Sequence, residues 1–235
     1  MKLSILGIYG PFPAPGGGCS SYLVEDRNTR ILLDCGSGAL QKCRAIHPEL
    51  PLRLDAVVLS HMHADHAGEI DLFRYQCEFG LMQSPLKVFS PETDRLQAPV
   101  FDPVRTYDGL QVTIGSMTLR FAAMQHAVPT MGVHITDAEG RTLFYTGDTG
   151  WFDGLVDAVK GVDLLLADAC LRDESNEKAL KNHMTVAQVL ALRKQADCDG
   201  VILTHLFPDG KPYPQIIDRK AVYAREGMQF MSTRK

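Results

Sequence analysis

The chain contains no C-x-x-C pair, no Pro/Ser-rich linker, no internal repeat and no low-complexity tract. Its six cysteines (Cys19, Cys35, Cys43, Cys77, Cys170, Cys198) stand singly among apolar neighbours. That pattern reads as reduced core cysteines of a cytoplasmic protein and not as a disulfide framework. With nothing to mark a boundary, residues 1–235 read as one domain, and 45% hydrophobic residues suffice for a sizeable core. No window approaches the length of a membrane span. The apolar start Met1-Lys-Leu-Ser-Ile-Leu is broken by Gly7 and Gly10 with no small-residue cleavage site after it, so neither a signal peptide nor a membrane partner is expected. A basic excess is also missing. The formal charge of −4 and pI near 6.0 exclude a broadly basic, nucleic-acid-binding surface, although a local patch stays open.

What the chain does have is His61-Met62-His63-Ala64-Asp65-His66, four potential metal ligands in six residues. The run follows Ala56-Val57-Val58-Leu59, which reads as a buried strand, and precedes Ala67-Gly68-Glu69-Ile70-Asp71-Leu72-Phe73, which reads as the opening of a helix. A strand-to-helix turn lets such side chains converge on one point. Imidazole with carboxylate suits zinc, and also iron or manganese. Core packing gives no reason to crowd three histidines and an aspartate onto one turn.

The H-x-H-x-D-H run resembles the signature of the metallo-β-lactamase superfamily. That resemblance spans nearly the whole chain and implies a four-layer αββα sandwich, an α/β (α+β) fold with its site at one edge between the sheets. It also implies a ligand set for two divalent cations: His61, His63, Asp65 and His66 from the turn, with His126, Asp148 and His205 downstream. Each of the last three lies at or just beyond a β-prone apolar run, where rigid strand ends can hold ligands and loops can leave a coordination position to water. In such proteins Asp148 would bridge the two cations together with a shared hydroxide. True β-lactamases of the superfamily use another residue there, so Asp148 points away from them. Asp34, ending Leu32-Leu33, matches a position that braces a ligand histidine.

His183, in Asn182-His183-Met184-Thr185, lies 22 residues before His205. His-Met-Thr, a helix and then Leu-Thr-His resembles the ribonuclease Z and small-phosphodiesterase branch, in which this histidine faces the scissile phosphate. The function implied is a dinuclear metal-dependent phosphodiesterase acting on a small phosphodiester such as a cyclic nucleotide, a cyclic phosphate or a short oligonucleotide. The catalytic groups it implies are Asp65, which would orient the nucleophile, and His183, which would stabilise the developing charge or protonate the leaving group. Ribonuclease Z itself carries a long arm for transfer RNA between its third and fourth metal motifs. Here His126 and Asp148 are only 22 residues apart, room for one hairpin. A thioesterase or lactonase of the glyoxalase II type would share every ligand, and His183 is the feature against it. Relatives in this branch are often homodimers, so dimerisation is expected by analogy.

Strands are predicted at 2–9, 20–25, 30–34, 55–60, 86–90, 162–167 and 201–204, with hairpins over 110–124 and 132–146. Helices are predicted at 39–46, after the metal turn to Phe79, at 155–160 and at 186–196 with Thr185 as N-cap. Residues 91–108 read as loop, and the segment after His205 as a helix and a short strand. The glycine-rich loop 10–21 has the flexibility to line a site, residues 207–214 read equally as a pocket wall or a surface turn, and Asp168 equally as a turn or a site residue.

Overall fold

A computed structural model describes residues 1–80 and 84–231. Two seven-stranded mixed sheets stack face to face with helices outside, the arrangement of the metallo-β-lactamase sandwich. The first sheet contains β1 (Lys2–Gly7), β2 (Ser21–Asp26), β3 (Thr29–Leu33), β4 (Ala56–Val58), β5 (Leu86–Ser90) and β6 (Phe101–Arg105). The second runs from β7 (Gln111–Ile114), β8 (Met117–Ala123), β9 (Met131–Thr136) and β10 (Thr142–Tyr145) to β11 (Leu164–Asp168), β12 (Gly200–Thr204) and β13 (Ala221–Tyr223). The last strand, β14 (Gln229–Met231), returns to pair antiparallel with β1.

Alternation of side chains across each strand divides the core. Leu3, Ile5, Tyr22, Val24, Leu119, Val133 and Tyr145 interdigitate between the sheets. Leu23, Leu32, Val57 and Val88 point the other way, onto α1 (Ala39–Ile46) and onto Ile70, Phe73 and Cys77 of α3 (Ile70–Phe79). Leu165, Val201 and Leu203 pack under α4 (Leu155–Ala158) and α5 (Val186–Gln195). Thr185 caps α5 through a capping box: its hydroxyl accepts from the Gln188 amide while the Gln188 side chain accepts from the Thr185 amide.

Three expectations fail. Residues 91–108 are not all loop, because β6 pairs parallel with β5. Pro103 disguised that strand, and it is tolerated because β6 is the outermost strand of its sheet. The segment after His205 forms no helix among the described residues. It crosses from one sheet edge to the other as β13 and β14, each only three residues long. The helix after the metal turn is two pieces, α2 (Ala64–Ala67) and α3, parted at Gly68-Glu69.

What matters for chemistry is where the parallel strands stop. β3, β4 and β5 run side by side, as do β10, β11 and β12, and the loops leaving β3, β4, β10, β11 and β12 at their C-terminal ends meet along one edge of the sandwich.

Candidate metal centre

His61 and His63 lie in the extended segment between β4 and α2, and Asp65 and His66 on α2 itself. His126 follows β8, Asp148 follows β10, and His205 sits at the end of β12. Among the described residues, two strained backbones occur here: Asp34 and His205 adopt positive φ, 54° and 55°. Such strain in non-glycine residues clusters at sites where side-chain direction outweighs local comfort. Gly147, at φ 59°, has the same task ahead of Asp148, and a Cβ there would press on Ser60 at 2.7 Å.

The seven side chains gather into two adjoining groups. In the first, His63 Nδ1 lies 3.0 Å from His61 Nε2 and 3.2 Å from His126 Nε2. In the second, His205 Nε2 lies 3.0 Å from Asp65 Oδ2 and 3.3 Å from Asp148 Oδ1, while His66 Nε2 lies 3.5 Å and 3.1 Å from the same two atoms. Ligand atoms about 2.0–2.1 Å from a tetrahedral cation stand about 3.3 Å apart, so both groups have the spacing of a coordination shell. Asp148 joins them. Its Oδ1 faces the second group, while its Oδ2 lies 3.8 Å from His61 Nε2 and 3.9 Å from His126 Nε2.

The outer ring nitrogens fix which nitrogen turns inward. His66 Nδ1 lies 2.7 Å from Asp34 Oδ2, His61 Nδ1 lies 3.0 Å from the Ser60 hydroxyl, and His126 Nδ1 donates to the Asn182 carbonyl at 3.1 Å. Asp34 is itself held by the Ser60 amide at 2.7 Å and by the Tyr145 hydroxyl at 2.6 Å. Burial raises the Tyr145 hydroxyl well above its ordinary pKa, so it stays a donor.

Whether cations suit this cluster is answered by its unmet needs. His66 Nε2, Asp148 Oδ1 and His205 Nδ1 are buried without a well-aligned hydrogen bond. His66 Nε2 and Asp148 Oδ1 lie 3.1 Å apart, yet neither has a hydrogen-bond partner of ordinary geometry. Burial opposes ionisation of Asp148, but His205 and His66 outweigh it and hold its carboxyl well below the usual range. Burial likewise opposes protonation of His66 and His205, and the facing carboxylates, Asp148 foremost, still hold both well above the ordinary histidine value. His61 goes the other way, lowered by burial and by His66. Negative charge is thus concentrated where only positive charge can make burial tolerable. The donor set, imidazole with carboxylate, is one for zinc, manganese or iron.

Beside the second group stands a residue the sequence left undecided. Asp168 is fully buried at the end of β11, and its Oδ2 lies 2.8 Å from His183 Nδ1. Its Oδ1 lies 3.6 Å from His205 Nδ1 and accepts from the Cys170 amide at 2.9 Å. The His183 ring stacks on that of His205, centroids 5.2 Å apart and 12° from parallel. Burial works against a proton on His183, and the Asp168 carboxylate more than offsets it. Like His205, Asp168 stands at the end of an apolar run, and β11 pairs beside β12; that position is the signal that could have chosen between its two roles.

Residues 29–206 match the family model described as the Beta-lactamase superfamily domain. The probable metallo-hydrolase YhfI of Bacillus subtilis is 29% identical over 216 residues, covering 88% of this chain and 87% of that protein. Its crystal structure superposes with a TM-score of 0.85 at 24% identity, over 97% of this chain and 98% of that one. Ribonuclease Z of Methanosarcina acetivorans is 22% identical over 267 residues, 88% of this chain and 87% of its own. A diphosphatase from the PhnP family shares the fold at a TM-score of 0.75 and 16% identity, over 99% of this chain and 98% of that one. With the family model covering most of its length and a histidine–aspartate cluster at the edge between the sheets, the chain belongs to the β-lactamase superfamily and is a metal-dependent hydrolase.

Proposed function

We propose that the protein is a dinuclear metal-dependent phosphodiesterase acting on a small phosphodiester, with residues 1–235 working as one catalytic unit. His61, His63 and His126 would hold one cation, Asp65, His66 and His205 the other, and Asp148 would serve both. When bound, two such cations acidify water from a pKa of about 15.7 towards 7 and polarise a phosphoryl oxygen, and zinc is the metal this donor set suits first.

The chain's own groups do the rest. Asp65, anchored through Oδ2 towards His205 and His66, accepts a hydrogen bond from the attacking water and orients it. A new P–O bond forms as the bond to the leaving oxygen breaks. Asp168 favours the charged ring of His183, and with Nδ1 facing Asp168 the other nitrogen, Nε2, would be the one to deliver a proton to the departing oxygen. The observation that carries this reading is the Asp168–His183 pair beside the two metal groups. A thioester needs the cations as much, but its thiolate leaves with less need of an acid; a lactone expels an alkoxide, as an alkyl phosphodiester does, and is distinguished from it by turnover.

The short link between His126 and Asp148, filled by β9 and β10, leaves no room for a long arm. That favours small phosphodiesters over transfer RNA as the substrate, although ribonuclease Z is a relative. A cytoplasmic setting is supported by six buried, unpaired cysteines. A homodimer is supported by Leu72, Tyr75 and Phe79, exposed along one stripe of α3.

A panel separates the readings: bis(p-nitrophenyl) phosphate, a thioester and a lactone, each assayed with zinc- and manganese-loaded protein. Phosphodiester turnover exceeding both rivals by tenfold or more in kcat/KM is expected. Faster thioester or lactone hydrolysis would overturn the assignment.

A further inference from the structure

Two loops leave the sandwich beside His205, and backbone pairing ties their bases together. Leu206 donates to the Ile8 carbonyl at 2.7 Å, Gly10 donates to the Leu206 carbonyl at 3.3 Å, and Tyr9 bridges both Cys19 and Leu206. Position 10 runs hard against the imidazole: a Cβ there would lie 1.9 Å from His205 Nε2, which only glycine avoids. Phe12 stands two residues beyond Gly10, and Phe207 directly follows Leu206. Phe12 and Phe207 meet edge to face, with ring centroids 5.8 Å apart at 69°, and Phe12 is 51% exposed.

The second loop is held rigidly around this pair. Arg172 forms an ion pair with Asp209 and donates to the carbonyls of Phe207 at 3.4 Å, Lys211 at 3.1 Å and Pro212 at 3.2 Å. Its guanidinium lies 4.3 Å over the Tyr213 ring. The Tyr213 hydroxyl accepts from the Phe207 amide at 2.6 Å and donates to the Cys170 carbonyl at 2.9 Å. Phe207 is therefore fixed from both sides before any ligand arrives, so little ordering is lost on binding.

We propose that Phe12 and Phe207 form a stacking wall for a nucleobase, so that the substrate is a nucleotide phosphodiester whose base lies against the wall while its phosphate reaches the metal groups. The inference rests on the phosphodiesterase reading and narrows its substrate class. A wall open to water on one side suits a flat π-face, which gains from stacking without enclosure. An acyl chain needs an enclosed apolar slot, and here Asp209, Gly210 and Lys211 at the loop tip are exposed.

The test compares two substrates that share a five-membered cyclic phosphate: 2′,3′-cyclic AMP, which bears a base, and glycerol 1,2-cyclic phosphate, which does not. Phe12→Ala changes an exposed loop residue and leaves the core intact. KM for the cyclic nucleotide is expected to rise about 5- to 150-fold, the equivalent of about 1–3 kcal/mol for stacking one base, with kcat changed little. KM for the glycerol ester stays constant, and Phe12→Trp restores the nucleotide KM. Equal effects on both substrates, or none on either, would overturn the wall. A calorimetric titration with AMP and ribose 5-phosphate reads the wall without turnover: AMP should bind the wild type more tightly, and Phe12→Ala should erase that advantage. If neither cyclic phosphate is cleaved while the AMP preference depends on Phe12, the phosphodiesterase reading fails and the wall stands. If AMP shows no preference, the wall fails whatever the enzyme cleaves.

Discussion

Replacing His183 by alanine is expected to lower kcat on an alkyl phosphodiester by about 10²–10⁴-fold and leave metal content unchanged. Those factors correspond to about 2.7–5.4 kcal/mol of barrier, the loss of one positioned acid. Metal should be retained because neither of the two proposed ligand groups includes this ring, and the Asp168 carboxylate still faces His205. The leaving group supplies an internal check. A p-nitrophenolate departs without needing a proton, so the variant should lose much less on a p-nitrophenyl ester than on an alkyl one. Unchanged turnover on the alkyl ester would remove His183 from proton transfer. Metal loss in the variant would instead make it a ligand.

Asp148→Ala is expected to have a different signature, loss of metal itself. The carboxylate presents one oxygen to each group, so its removal opens both shells at once. Losing an outer partner of a metal ligand typically costs about 10–100-fold in affinity, and a shared ligand should cost more than that. The histidines left behind would also face one another without the negative charge that makes their burial tolerable. Elemental analysis of the purified variant should find less than one equivalent of metal per chain, with activity falling accordingly. Two retained equivalents would contradict the bridging role.

The metal turn was legible because its ligands are contiguous and sit between a buried strand and a helix, a context local sequence reveals. His126, Asp148 and His205 carry no such signal singly, and they were found through the resemblance and through their positions at strand ends. Two series of strands, each followed by helices, suit stacked sheets, but periodicity alone gives only a mixed α/β fold; the sandwich comes from the resemblance, and its edges stay hidden. Pro103 hid β6, and β13 and β14 are too short for alternation to register. Asp168 was ambiguous because an aspartate after a strand is an ordinary turn residue, and only the pairing of β11 with β12 places it beside His205. Phe12 and Phe207 lie far apart in the chain, and it is the Leu206–Ile8 pairing that makes them neighbours.

The account is tested most directly by counting metal against activity. Protein stripped with a chelator is reloaded stepwise with zinc or manganese, and phosphodiester turnover is followed beside elemental analysis. Activity should be absent in stripped protein and rise to a plateau at two equivalents per chain. Full turnover in stripped protein, or a plateau already complete at one equivalent, would contradict a paired-cation site.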